Sequence, residues 1–168
     1  ILDIVIRNGN DAFLVEESFV ESLEEKLSSR QALGELTALL YTSQILDALI
    51  DCYDITNCVH GDLKFGNIGL SQDGGIKLTD FGNAATCYQD EKGHFVGSSR
   101  TKAPELLGAQ IRPTVQSEIW SIGILMYRML SGEYPFPYSK VYTSWDRHSY
   151  ECYLRKKIIS TMCNENER

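Results

Sequence analysis

The stretch Val59-His60-Gly61-Asp62-Leu63-Lys64-Phe65-Gly66-Asn67, followed further on by Thr79-Asp80-Phe81-Gly82, constrains this chain more than anything else in it. Between the two segments, Ile68-Gly69-Leu70 and Ile76-Lys77-Leu78 read as short strands on either side of the turn Asp73-Gly74-Gly75. The strand–turn–strand joins two carboxylates, an amide, an amine and an imidazole. Asp62, Asn67 and Asp80 carry oxygen ligands of the kind Mg²⁺ accepts. Lys64 is a mobile point charge suited to phosphate. That set is what phosphoryl transfer needs, because the work there is mostly positioning and charge stabilisation. An Asp-Phe-Gly alone reads as an ordinary turn; the two segments in this order do not.

In order and spacing these residues resemble the eukaryotic protein kinase family. The resemblance implies roles residue by residue. Asp62 accepts the proton of the substrate hydroxyl and aims it, and Lys64 sits against the transferring phosphoryl group. Asn67 and Asp80 hold the magnesium ions that bridge the phosphates of ATP. His60 and Phe81 pack on each other. Lysine two places after the catalytic Asp resembles the serine/threonine branch, so the implied partner is a protein substrate. The implied fold class is mainly α with short β hairpins (α+β): a protein-kinase-like large lobe with the small lobe mostly missing. Residues 1–17 read as a small-lobe remnant and 18–168 as a large lobe, shortened at its C-terminal end.

Composition excludes some other classes. The 168 residues are 43% hydrophobic and 23% charged, with room for one core. A net charge of −7 argues against broad electrostatic binding of nucleic acid or of an anionic membrane. Cys52, Cys58, Cys87, Cys152 and Cys163 show no C-x-x-C pairing and read as reduced thiols of the cytosol or nucleus. No transmembrane run or leader is visible, and the sequence leaves the oligomeric state open.

From the start of the chain, Leu2 to Ile6 and Ala12 to Val15 are strand-like runs separated by a segment containing Asn8-Gly9, a strong hairpin signal. The resemblance places Glu17-Ser18-Phe19 where hinge backbone pairs with adenine. It puts Glu16 at the back of that pocket, where a carboxylate has to be solvated or paired. Ser22 to Leu27 is a short helix candidate. Leu36 to Asp51 is a longer one, with Leu36, Leu39, Leu40, Leu46, Leu49 and Ile50 as its apolar stripe. Asn83 to Arg100 reads as a long functional loop, ending in Lys102-Ala103-Pro104-Glu105, which resembles the close of a kinase activation segment. Ser98 stands where the family has a hydroxyl in contact with the catalytic Asp and Lys. Ser117 to Leu130 is apolar nearly all round and so is expected to be buried. Ile119, Ile122, Met126 and Met129 share one of its faces. Tyr150 to Met162 has helical spacing, with Arg155, Lys156 and Lys157 on a solvated face.

Departures from the family pattern carry their own expectations. Gly61 replaces the Arg that pairs with an activation-loop phosphate, so that control is expected to be absent. The loop is then held by its own packing through Phe95, Val96 and Gly97-Ser98. Gly69 replaces the bulky residue beneath adenine, removing roughly 1.5–3 kcal/mol of apolar contact. Glu118 replaces an Asp whose carboxylate holds the catalytic-loop backbone; its extra methylene still allows the reach. The resemblance implies an Arg partner for Glu105, with Arg168 as one substitute. Three functions follow: a serine/threonine protein kinase, a non-catalytic binding module of kinase fold, or a small-molecule phosphotransferase like the aminoglycoside and choline kinases. The last shares His60-Gly61-Asp62 and Asn67, but Lys64, Lys102-Ala103-Pro104-Glu105 and the Trp120 helix favour the first.

Overall fold

Strands β1 (Asp3–Arg7) and β2 (Asp11–Val15) pair antiparallel, with Asp3 opposite Val15 and Arg7 opposite Asp11. The computed structural model describes residues 3–7, 11–28, 32–86, 98–108, 111–136 and 147–165. The Asn8-Gly9-Asn10 turn, Tyr88, Phe95 to Gly97 and Arg168 lie outside the described residues.

Two further small sheets frame the motifs. Strand β3 (Glu21–Ser22) pairs with β5 (Ile68–Leu70), which pairs with β6 (Ile76–Leu78), all antiparallel. Strand β4 (Cys58–Val59) pairs with β7 (Ala85–Thr86). The expected hairpin across Asp73 to Gly75 is therefore present, and it sets Asn67 and Thr79 facing each other at one end. Thr79 N donates to Asn67 O at 3.0 Å.

Helix α1 (Leu23–Ser28) begins with reciprocal capping: Ser22 N donates to Glu25 Oε2 at 2.7 Å, and Glu25 N to Ser22 Oγ at 3.2 Å. Helix α2 (Glu35–Thr56) ends on Asn57 in the left-handed conformation. Helix α3 (Val115–Ser131) is opened by a Thr114/Ser117 capping box and closed by Gly132. Helix α4 spans Arg147–Glu165. Among the described residues no helix is long and apolar enough to cross a membrane.

Burial corrects two expectations. On α2 the face turned inward is Ala38, Tyr41, Thr42, Ile45 and Leu49. Leu36, Leu39, Leu40, Leu46 and Ile50 of the expected stripe are exposed, Leu36 at 83%. The inner face also follows i, i+3, i+4 spacing, and its Ala38, Tyr41, Ile45 and Leu49 share a core with Ile122, Leu125 and Met129 of α3. Helix α3 is not buried all round: Ile122, Ile124, Leu125 and Met129 are, whereas Ile119, Tyr127 and Leu130 are exposed. The main core joins Leu23, Ile45, Leu63, Phe65, Ile68 and Leu125, so α1, α2 and α3 clamp the chain around Asp62. A second cluster gathers Leu107, Tyr150, Leu154 and Ile158, with Trp120 and Phe136 stacked 5.8 Å apart beside it. Arg155, Lys156 and Lys157 are solvated, as expected.

Candidate functional site

Asp62 is buried, and four groups arrange it. Lys64 Nζ donates to its Oδ2 at 2.7 Å, and Ser98 N donates to its Oδ1 at 2.7 Å. Asn67 Nδ2 donates to its backbone O at 2.9 Å, and its own N donates to His60 Nδ1 at 3.3 Å. With Nδ1 accepting, the His60 proton lies on Nε2 and goes to Thr79 O at 3.0 Å. The fully buried imidazole thus ties the two motifs together. Phe81 lies against it, ring centroids 4.6 Å apart, as the sequence led us to expect.

Ser98 differs from the expectation. Its contact to Asp62 runs through the backbone amide and not the hydroxyl. An amide donor there depends on backbone position more than on side-chain identity, which is why residue type alone did not reveal it.

Gly61 has φ +81°, and a Cβ built on it would overlap the backbone carbonyl of Asn83. The position that lacks the family's Arg therefore has no room for any side chain. Its amide donates to Glu118 Oε1 at 2.7 Å, so the longer carboxylate does reach the loop from α3. Burial pushes the Glu118 carboxyl above its ordinary value of 4.5, against the opposing hydrogen bonds from the Gly61 and His60 amides. A carboxyl with a raised folded-state pKa contributes stability that is present in full below the unfolded value and lost as pH rises through the folded one. Glu118→Gln keeps an acceptor oxygen without the charge. The variant should gain on the wild type in melting temperature as pH is raised from about 4 to about 7. A gap that stays constant or narrows over that range would contradict the assignment.

Asp80 is exposed and left-handed (φ 60°, ψ 66°), a conformation Asp tolerates better than most residues. It opens the short 3₁₀ turn Phe81–Asn83. The β5–β6 register brings Asp80 to the same end of the hairpin as Asn67. Because the Asn67 amide nitrogen is engaged with Asp62, its carbonyl oxygen is the atom left for a ligand. The two residues thus fit a hard, oxygen-seeking cation such as Mg²⁺.

At the expected hinge, Glu16 is exposed, so its carboxylate is solvated and needs no partner. Glu17 pairs with Lys77 at 2.5 Å. Their hydrogen bond and mutual attraction hold the carboxyl below its ordinary range and raise the amine. Phe19 lies over Gly69, and a Cβ at position 69 would overlap its ring. The space a side chain at position 69 would fill is thus taken by the Phe19 ring. Gly69→Leu should therefore cost about 1–3 kcal/mol by overpacking, in place of restoring a contact. Denaturant midpoints test this: the loss should shrink when Phe19→Ala is added, and a stabilised single variant would refute it.

Ala103 is fully buried, and Pro104 opens the short turn Pro104–Leu106. Glu105 is exposed, with no ion pair among the described residues. The segment is fastened by Lys102, which pairs with Glu151 at 3.0 Å, a pair that sequence reading missed. A lysine flanked by Thr101, Ala103 and Pro104 was the available signal that an acidic partner lay elsewhere. A cleft of about 410 Å³ beside Lys64 is lined by Glu24, Phe65, Ser98 to Thr101 and Tyr134. Arg100 and Arg128 lie 5.2 and 5.7 Å from the Tyr134 ring centre.

The Asp, the Asn and the Asp-Phe-Gly turn thus stand together on a mainly helical frame, in the order that the sequence resemblance implies. The family model described as "Protein kinase domain" matches residues 2–167, and the chain belongs to the eukaryotic protein kinase family, serine/threonine type. It is 36% identical over 147 residues to testis-specific serine/threonine-protein kinase 1 of Mus musculus, covering 83% of this chain and 40% of that protein. It is 33% identical over 140 residues to serine/threonine-protein kinase plk-1 of Caenorhabditis elegans (83% and 21%). Against cell cycle serine/threonine-protein kinase CDC5/MSD2 of Saccharomyces cerevisiae it is 33% identical over 149 residues (87% and 21%). The chain thus spans between one fifth and two fifths of these relatives.

Proposed function

We propose that the protein carrying this chain transfers the γ-phosphoryl group of ATP to Ser or Thr hydroxyls of protein substrates. The single observation that carries this reading is the Asp62 carboxylate, held by Lys64 Nζ on one oxygen and the Ser98 amide on the other. In this reading residues 1–17 belong to the small lobe and 18–168 to the large lobe. Glu17 and Phe19 present hinge backbone to the base, with Gly69 beneath. Asp62 takes the hydroxyl proton as that oxygen forms its bond to phosphorus and ADP leaves. Lys64 steadies charge on the phosphoryl oxygens, Ser98 lines the cleft on the peptide side, and Ala103, Pro104 and Glu105 continue the same segment behind it. Asn67 and Asp80 would hold Mg²⁺, which neutralises phosphate charge when bound.

One observation favours a second reading, a non-catalytic module of the same fold: the Phe19 ring lies where it can narrow the space above Gly69. A thermal shift on the whole protein separates the two. ATP with Mg²⁺ should raise the melting temperature, by the equivalent of roughly 2.7 kcal/mol at a hundredfold excess over Kd, and ATP without metal should raise it much less. Equal shifts with and without metal would remove Asn67 and Asp80 from metal holding. No shift in either condition would favour the non-catalytic module.

A further inference from the structure

One buried carboxylate on α4 collects donors from both ends of a single segment. Glu151 Oε1 accepts from Ser99 Oγ and from Lys102 Nζ, each at 3.0 Å, and its Oε2 accepts from Gly108 N at 3.1 Å. Glu151 is 6% exposed and Lys102 9%. Charges are buried only where they are paired and their hydrogen-bonding capacity is met. Residues 99, 102 and 108 all contribute to meeting these conditions. The same segment reaches the candidate site at its first residue, where Ser98 N donates to Asp62 Oδ1. Midway, Thr101 O accepts from Ser121 Oγ at 2.9 Å. Residues 98–108 therefore run as a strap between Asp62 and Glu151, and their first part walls the cleft beside Lys64.

We propose that Glu151 is a positioning residue for the peptide side of the site. Through Ser99 and Lys102 it sets the strap against α4, and the strap in turn holds the Ser98 amide on Asp62. Glu151 touches no reacting atom. It supplies the anchorage that Glu105, exposed as it is, does not. A Lys–Glu pair suits this task because only one register of the strap leaves neither buried charge unpaired, whereas an apolar contact would tolerate sliding. The inference rests on the role given to Asp62 above.

The test uses the whole protein. Glu151→Gln preserves shape but no longer balances Lys102. Hydrogen exchange at the Ser98 and Gly108 amides should quicken by at least about tenfold, while α2 keeps its protection. With a peptide substrate, KM should rise by at least about tenfold, with the KM for ATP within about twofold of wild type. The double variant Lys102→Met/Glu151→Leu removes both charges. Its melting temperature should return toward wild type while kcat/KM for peptide stays low, since Ser99 and Gly108 still lack their acceptor. Unchanged exchange at Ser98, protection lost equally in α2, or kcat/KM restored together with stability in the double variant would each overturn the proposal. A wild-type protein without phosphoryl transfer, whose Ser98 amide still loses protection in Glu151→Gln, would support the anchoring and end the kinase reading instead.

Discussion

Asp62→Asn should leave nucleotide affinity within a few-fold of wild type and lower turnover by roughly 10²–10⁴, the usual worth of a positioned general base. The geometry makes this substitution unusually clean. The Asn side chain keeps an oxygen for the Ser98 amide, so the strap retains its contact to the loop. The backbone O that accepts from Asn67 at 2.9 Å is untouched, and of the Asn67 contacts only the longer 3.5 Å one to Oδ2 is given up. What is lost is the anionic oxygen that holds Lys64 at 2.7 Å and that would accept the hydroxyl proton. An amide has no place for that proton. Phosphate incorporation into a peptide and calorimetric ATP binding should therefore separate, the first collapsing and the second persisting. Turnover unaffected by the change would mean that any activity arises elsewhere, and parallel loss of both would mean that Asp62 serves the fold of the loop.

The second large effect is expected at Gly61. Gly61→Ala should destabilise the protein by about 2–4 kcal/mol, combining roughly 1–2 kcal/mol for a left-handed residue with a Cβ and a further steric cost against the Asn83 carbonyl. Gly74 is the control: its φ is +82°, but a Cβ there meets nothing within 4 Å. Gly74→Ala should therefore show only the conformational part, about 1 kcal/mol. Chemical denaturation of both variants gives the difference directly. Equal losses would show that the Asn83 backbone yields freely. Gly61→Arg should be at least as damaging as Gly61→Ala. The family's residue at this position would thus disturb the loop itself.

Much of this was legible in the sequence because it is local. The hairpin from Ile68 to Leu78 follows from two β-branched and apolar runs around Asp73-Gly74-Gly75. The three longer helices follow from apolar spacing, and the motif residues Asp62, Lys64 and Asn67 lie within six positions of one another. The contact of Glu118 with the loop was also anticipated, through the family pattern. Less legible was which side of α2 turns inward. Leu36, Leu39 and Leu40 outbid Ala38, Tyr41 and Thr42 in hydrophobicity, yet the latter are buried because α3 packs on their side. Periodicity identifies faces but cannot rank two of them when both are apolar.

Sequence by itself therefore determined the chemical inventory, the elements that carry it and their order, since turn chemistry, capping and period act over a few residues. Tertiary structure alone decided how those groups were aimed. It put the Ser98 amide on Asp62 across 36 positions, Phe19 over Gly69, and Glu151 under Lys102 across 49. Such contacts join residues that no local pattern relates. They exist because a buried donor, charge or hole must be satisfied by whatever the packed core brings within reach.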